Sequence, residues 1–127
     1  MKTTCELMTS LALPSIRARI AKVAVEKYGM KQKDVAHRLG LTEAAVSQYL
    51  RKKRAYADIG ERQLNRIKKM IDGTSKKLAK GELSDFDLMK TFCKMCLSLR
   101  ASQTLCEMHK IREPNLVKEN CSICRVD

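Results

Sequence analysis

Three pairs of metal-capable side chains recur in the last third of the chain, each pair three residues apart: Cys93 with Cys96, Cys106 with His109, and Cys121 with Cys124. On a helix or in a knuckle this spacing turns both side chains to one side, where the two can grip one metal centre. Disulfides explain the pattern poorly. The first residues are acidic and polar where an export signal keeps a long apolar stretch, and thiols inside the cell stay reduced. A metal site drawn from Cys93, Cys96, Cys106, Cys121 and Cys124 is therefore expected ahead of buried structural cysteines or a labile thiol switch. Which metal stays open. The two CxxC pairs, with 24 residues between them, suit a four-thiolate zinc site, and Cys93, Cys96 and Cys106 with His109 suit a three-thiolate one. Against zinc, CKMC and CSIC lack the glycine or proline of a zinc knuckle, and the thiols outnumber what a closed tetrahedral ion needs. An iron–sulfur cluster, four-iron by preference, takes four thiolates and changes a regulator when lost or oxidised, so it is placed before zinc. His109 is expected to donate to a backbone carbonyl rather than to ligate. Cys5 stands apart, either a small core residue or a further thiol brought near by folding.

A second pattern is geometric. In the run QKDVAHRLGLTEAAVSQYLR, Gln32 to Arg51, a small residue stands at Ala36, a glycine four positions later at Gly40, and a β-branched apolar residue six further at Val46. A helix-turn-helix needs the first for close helix crossing, the second for a left-handed turn and the third to lock the second helix on the first. The second helix of such a unit presents its outward residues, here Glu43, Ala44, Ser47, Gln48 and Arg51, to base edges in the major groove of double-stranded DNA. Gln48 suits adenine N6 and N7, Arg51 guanine or a phosphate, and Ala44 a thymine methyl group. Glu43 either accepts from cytosine or favours the helix N-terminus electrostatically. Gln32 and Thr42, near helix starts, and Lys52 in the following basic run are read as phosphate contacts that set register. His37 is expected to face solvent.

The charge agrees. Net charge is +12, and residues 1–80 hold 19 basic against 7 acidic side chains while residues 81–127 hold 7 of each. An excess confined to one part of the chain points to polyanions, because each Lys or Arg beside a phosphate releases counterions. Five aromatic side chains in 127 residues give few stacking platforms, which disfavours single-strand or RNA recognition. No apolar run approaches the roughly 20 residues of a membrane span, so a soluble, cytoplasmic protein is expected, with no membrane and no small-molecule substrate as partner. An enzyme is disfavoured too: there is no paired carboxylate, no Gly-rich phosphate loop and no evident base.

The elements that must hold these residues are helices. Ile16, Ile20, Val23 and Ala24 make one stripe between Leu13 and Tyr28, with Pro14 in its first turn and Gly29 at its end. Lys31 to Leu39 and Glu43 to about Lys52 follow, the latter capped by Thr42. After a connection from Ala55 to Gly60, the stripe Leu64, Ile67, Ile71 and Leu78 describes a basic amphipathic helix expected to pack on the domain or form a dimer seam. Ser84 with Asp87 opens a helix through Leu88, Phe92, Met95 and Leu99, a short helix follows Ser102, and Glu113-Pro114-Asn115 breaks the chain. The expected class is all-α, in three parts: a compact helix-turn-helix bundle (1–56), a basic linking or dimerisation helix (57–82) and a small helical cysteine-rich metal-binding module (83–127).

Residues 10–54 resemble the helix-turn-helix of the Cro and phage-repressor (xenobiotic-response-element) class. The whole chain is similar to predicted archaeal transcriptional regulators with a cysteine-rich C-terminus, through Cys5-Glu6, LPSIRARIAK from Leu13 to Lys22, QKDVAHRLGLTEAAVSQYLRKKR, and CKMC, CEMHK and CSIC. The resemblance implies a homodimeric, DNA-binding transcription regulator. Where a glycine is usual after the basic turn, this chain has Lys53-Arg54-Ala55. In such a dimer the metal centre would sense redox state, oxygen or cluster supply, and would bias two reading units through the helix from Gly60 to Lys80.

Overall fold

Pro14 shapes the first helix. Proline has no N–H, and its ring collides with the carbonyl four residues back, so an ordinary α-helix does not pass through it unaltered. In the computed structural model, which describes residues 1–51, 64–101 and 103–123, α1 (Thr4–Leu7) runs through a π-helical turn at Met8–Ala12 into α2 (Leu13–Glu26). The wider turn ahead of Pro14 lets the rod continue without the missing bond. The helix expected from Leu13 is present as α2, and a helical segment from Thr4, not foreseen, leads into it. A capping box opens it, with the Glu6 N–H donating to Thr3 Oγ1 at 3.3 Å and the Thr3 N–H to Glu6 Oε2 at 2.9 Å.

Helix α3 (Gln32–Leu39) and helix α4 (Glu43–Arg51) fold back on α2. Ile16, Ile20 and Ala24 of α2, Val35 of α3 and Val46 of α4 are wholly buried. Each of the larger ones contributes roughly 1.5–3 kcal/mol by leaving water. Helix α5 (Lys68–Ala79) lies along α2, and Leu64, Ile67, Ile71 and Leu78 are all buried. The basic helix therefore packs on the domain. Ser75, fully buried in that contact, donates to Ile71 O at 2.7 Å and reaches Ile20 O at 3.3 Å, so its hydroxyl is satisfied where two helices come close. At the rim, Asp72 accepts from Lys27 Nζ at 2.7 Å and from the Tyr28 hydroxyl at 3.0 Å.

Helices α6 (Asp85–Ala101), α7 (Gln103–Arg112) and α8 (Asn115–Lys118) complete the chain. Ser84 starts α6 as expected, accepting the Asp87 N–H at 3.1 Å. Leu88, Met95 and Leu99 of α6 and Leu105 of α7 are buried in the same apolar cluster as Leu7, Ile20 and Ile71. One core thus runs through residues assigned to 1–56, 57–82 and 83–127. His109 closes it: its Nε2 donates to Lys2 O at 2.6 Å and its Nδ1 lies 3.4 Å from Thr4 Oγ1. The Lys2 N–H donates to Glu113 Oε1 at 2.8 Å, so the segment before α1 meets the end of α7.

The protein is all-α: the described residues form helices, turns and short connections, with no strand among them. Lys52, Lys53, Arg54, the connection from Ala55 to Gly60, Ser102 and Cys124 lie outside the described residues. No helix among those described is long and apolar enough to cross a membrane.

Candidate nucleic-acid interface

The α3–α4 unit is built from the turn outward. Gly40 ends α3 at φ 66°, ψ 34°, a left-handed conformation that costs glycine nothing. Beyond it, the Leu41 N–H donates to Ala36 O at 2.8 Å, closing the helix end. Ala36 is 3% exposed where α3 crosses its neighbours, and Val46 is wholly buried, so the small residue and the lock stand where the spacing placed them. Thr42 caps α4: its Oγ1 accepts the Ala45 N–H at 3.0 Å and keeps a hydroxyl proton to donate outward.

This mounting leaves a polar face on α4. Glu43, Ala44, Gln48 and Arg51 are exposed, as are Thr42 and Gln32. Ser47 is half-buried and accepts Arg51 Nη2 at 2.8 Å, so the guanidinium lies back along the helix one turn from Gln48. Helix α3 has no side-chain cap at its N-terminus, and Lys31, Gln32 and Lys33 are exposed around it. Backbone donors and two cations therefore share one end of α3, a combination that favours anions, with the exposed Asp34 carboxylate of the same turn opposing it. Lys31 and Lys33 were not singled out from the sequence, although their position flanking the Gln32 N-terminus was the available signal. Lys52 lies outside the described residues. His37 is exposed, as expected.

The thiols are arranged differently from their spacing in sequence. Cys93 is exposed and Cys96 half-buried, both on α6. Burial, with the neighbouring Cys93, pushes the Cys96 thiol up from its ordinary value, and Arg17 pulls it the other way. Cys106 on α7 and Cys121 after α8 are half-buried. Among the described residues no three His, Cys, Asp or Glu side chains gather where they could hold a metal ion. The described residues of one chain thus offer the Cys93 and Cys96 pair on α6, two thiolates where a closed zinc site or a cluster needs four. His109 is engaged with Lys2 O, the backbone role expected of it. Cys5 is exposed on α1, which corrects its reading as a core residue.

One arrangement had no sequence signal. A groove of about 790 Å³ separates α6 from the α2 and α3 side, with Cys93 and Cys96 on one wall and His37, Arg38 and Gly40 on the other. Arg17 lies over the Phe92 ring, 5.5 Å from its centroid, across this groove. Arg38 donates to Leu83 O and lies 3.5 Å from Asp85 Oδ1, binding the end of α3 to the start of α6.

The chain matches no protein-family model, no curated protein and no solved structure.

Proposed function

We propose that this protein is a sequence-specific regulator of transcription that binds double-stranded DNA as a homodimer, with α4 entering the major groove. The observation that carries the reading is the α3–α4 unit itself: a left-handed Gly40, a buried Ala36 and Val46, and an α4 whose Gln48, Ala44 and Arg51 face solvent. A helix fixed on one side and polar on the other suits a groove that accepts one α-helix and offers a distinct donor and acceptor pattern for each base pair. Gln48 would read adenine, Ala44 a thymine methyl and Arg51 a guanine or phosphate. Gln32, Thr42 and the lysines at the α3 N-terminus would hold phosphates and set the register. Asymmetric charge supports the same reading, since the basic excess lies in residues 1–80.

The proposal includes a metal-responsive element formed by C-terminal thiols, supported by their recurrent spacing. No step of DNA reading is routed through it, because among the described residues no three of its candidate ligands gather.

Selection from a random duplex pool, followed by titration at near-physiological salt, tests the DNA reading. A preferred sequence should emerge, and Gln48→Ala should weaken binding to it by about 1–3 kcal/mol while leaving non-specific duplex affinity unchanged. Equal losses on selected and unrelated duplexes, or no selected sequence, would refute the assignment of α4.

A further inference from the structure

Helix α6 has two apolar faces, and among the described residues one of them is buried. Leu88, Met95 and Leu99 enter the core, whereas Phe86, Met89 and Leu97 stand 65%, 58% and 63% exposed. Exposed Cys93 falls between them. Spacings of three, four and four residues set Phe86, Met89, Cys93 and Leu97 on one stripe of the helix. Contiguous large apolar groups of this kind mark a surface that another molecule covers. Cys96 flanks the stripe one turn beyond Cys93.

We infer that this stripe is a twofold interface with a second copy of the chain, and that Cys93 and Cys96 of both copies together hold one four-thiolate metal centre. The inference rests on the homodimeric regulator proposed above and names where its metal site is assembled. Two thiolates are half of a tetrahedral site, and the described residues of one chain supply no third ligand. A twofold, isologous contact duplicates every donor, so two thiols become four near the axis. An intrachain disulfide is a poor competitor. Cβ atoms three apart on a helix are about 5–6 Å from each other, beyond the roughly 3.5–4.5 Å that a disulfide spans.

Charge selects both the partner and its direction. Asp85 and Asp87 occupy the first turn of α6 and Arg100 its last turn, with Lys90 and Lys94 between them. Antiparallel apposition of two copies brings the acidic end of one helix beside the basic end of the other and pairs the helix dipoles favourably; a parallel pair would oppose like charges. The ligand is a thiophilic centre with four thiolate positions, either a zinc ion or an iron–sulfur cluster. On binding a zinc ion or a preformed cluster, each thiol gives its proton to solvent and the sulfur becomes a thiolate ligand, a step without change of oxidation state.

The test uses the full chain, reduced and metal-free under anaerobic conditions, titrated with Co²⁺ while its mass is followed by sedimentation. Thiolate-to-cobalt absorption should saturate at one ion per two chains, with the dimer as the loaded species. Iron, sulfide and zinc analysis of protein isolated anaerobically then separates a cluster from a single ion. Cys93→Ser and Cys96→Ser should each abolish the centre, while Cys106→Ser, Cys121→Ser and Cys124→Ser combined should leave the stoichiometry unchanged. Met89 is exposed, so Met89→Lys should keep the helical circular-dichroism signal and weaken both dimerisation and Co²⁺ affinity by about tenfold or more. Saturation at one ion per chain, loss of the centre in the triple variant, or an unaltered dimer in Met89→Lys overturns the inference. Failure here leaves the Gln48→Ala result standing, and failure of sequence selection leaves the metal stoichiometry standing, so the two readings are separable.

Discussion

Gly40 and Gly73 have the same room and opposite backbone requirements. A Cβ added at either would meet no atom within 4 Å, so neither accepts or rejects alanine on steric grounds. Gly40 is left-handed at φ 66°, whereas Gly73 lies inside α5 without a positive φ. An L-residue in the left-handed region costs about 1–2 kcal/mol. Alanine also narrows the unfolded ensemble, which returns about 0.4–1 kcal/mol. Gly40→Ala should therefore destabilise the protein by about 1 kcal/mol net. Gly73→Ala should stabilise it by about 0.5–1 kcal/mol, the helical preference of alanine over glycine. Urea unfolding followed by circular dichroism reads both. With a slope of about 2 kcal/mol/M, Gly40→Ala lowers the midpoint by about 0.5 M and Gly73→Ala raises it by about 0.3–0.5 M, the slope unchanged. Gly40→Asn should fall between wild type and Gly40→Ala, because asparagine tolerates the left-handed region better than alanine. If both alanine variants shift the same way, the left-handed joint between α3 and α4 is wrong, and the mounting of the reading helix goes with it.

Two further outcomes concern the ties that hold the bundle. The Lys27 ammonium, then the Tyr28 hydroxyl, holds the Asp72 carboxyl below its ordinary 3.8, and Asp72 in turn raises Lys27 above its ordinary 10.5. A lowered carboxyl stabilises above its unfolded value and loses that contribution as pH falls through the folded one; a raised ammonium stabilises below its unfolded value and loses it as pH rises. Asp72→Asn should therefore flatten the decline in unfolding midpoint on both the acid and the alkaline side, and a pH profile parallel to wild type would count against the tie. His109→Ala removes the donor to Lys2 O and the group facing Thr4. A loss of about 0.5–1.5 kcal/mol is expected, the exposed Lys2 carbonyl being able to turn to water. Amide exchange in α1 should quicken, and unchanged protection there would show that the histidine does not fasten the N-terminal turn.

What was legible in the sequence was local. The α3–α4 joint depends on three residues within eleven, each with one geometric duty, so spacing alone located Ala36, Gly40 and Val46. Core stripes were equally readable, because Ile16, Ile20, Leu64, Ile71, Met95 and Leu99 recur at helical intervals. The N-terminal extension was not read, although Thr3 and Glu6 spell a capping box. Pro14 is both a first-turn signal and compatible with a π-turn ahead of it, and the wider turn shifts the apolar face, so Leu7, Met8, Leu11 and Ala12 do not continue the α2 stripe at one period. The thiols were legible only in part. Their spacing in sequence describes pairs, but which pairs meet is a long-range property, and α6 carries Cys93 and Cys96 away from any third ligand among the described residues.

The same packing changes how a signal at the thiols would reach the DNA-facing helix. A route through a long linking helix was expected, but α5 is buried along α2 by Ile71 and Leu78 and tied by Ser75 to Ile20 O, so it is part of the rigid core. The shorter route is direct contact. Arg38, near the end of α3 and two residues before the left-handed Gly40, holds Leu83 O and Asp85 at the start of α6. Arg17 of α2 rests on Phe92, one residue from Cys93. A displacement of α6 by a centre at Cys93 and Cys96 would therefore be felt, through Arg38, at the joint that orients α4 as well as at α5 and α7. Close-packed helices transmit such a shift as a change between discrete arrangements rather than as elastic give, so in the proposed dimer a small movement at the thiols would misalign two reading helices whose spacing on DNA would have to match one helical turn, about 34 Å.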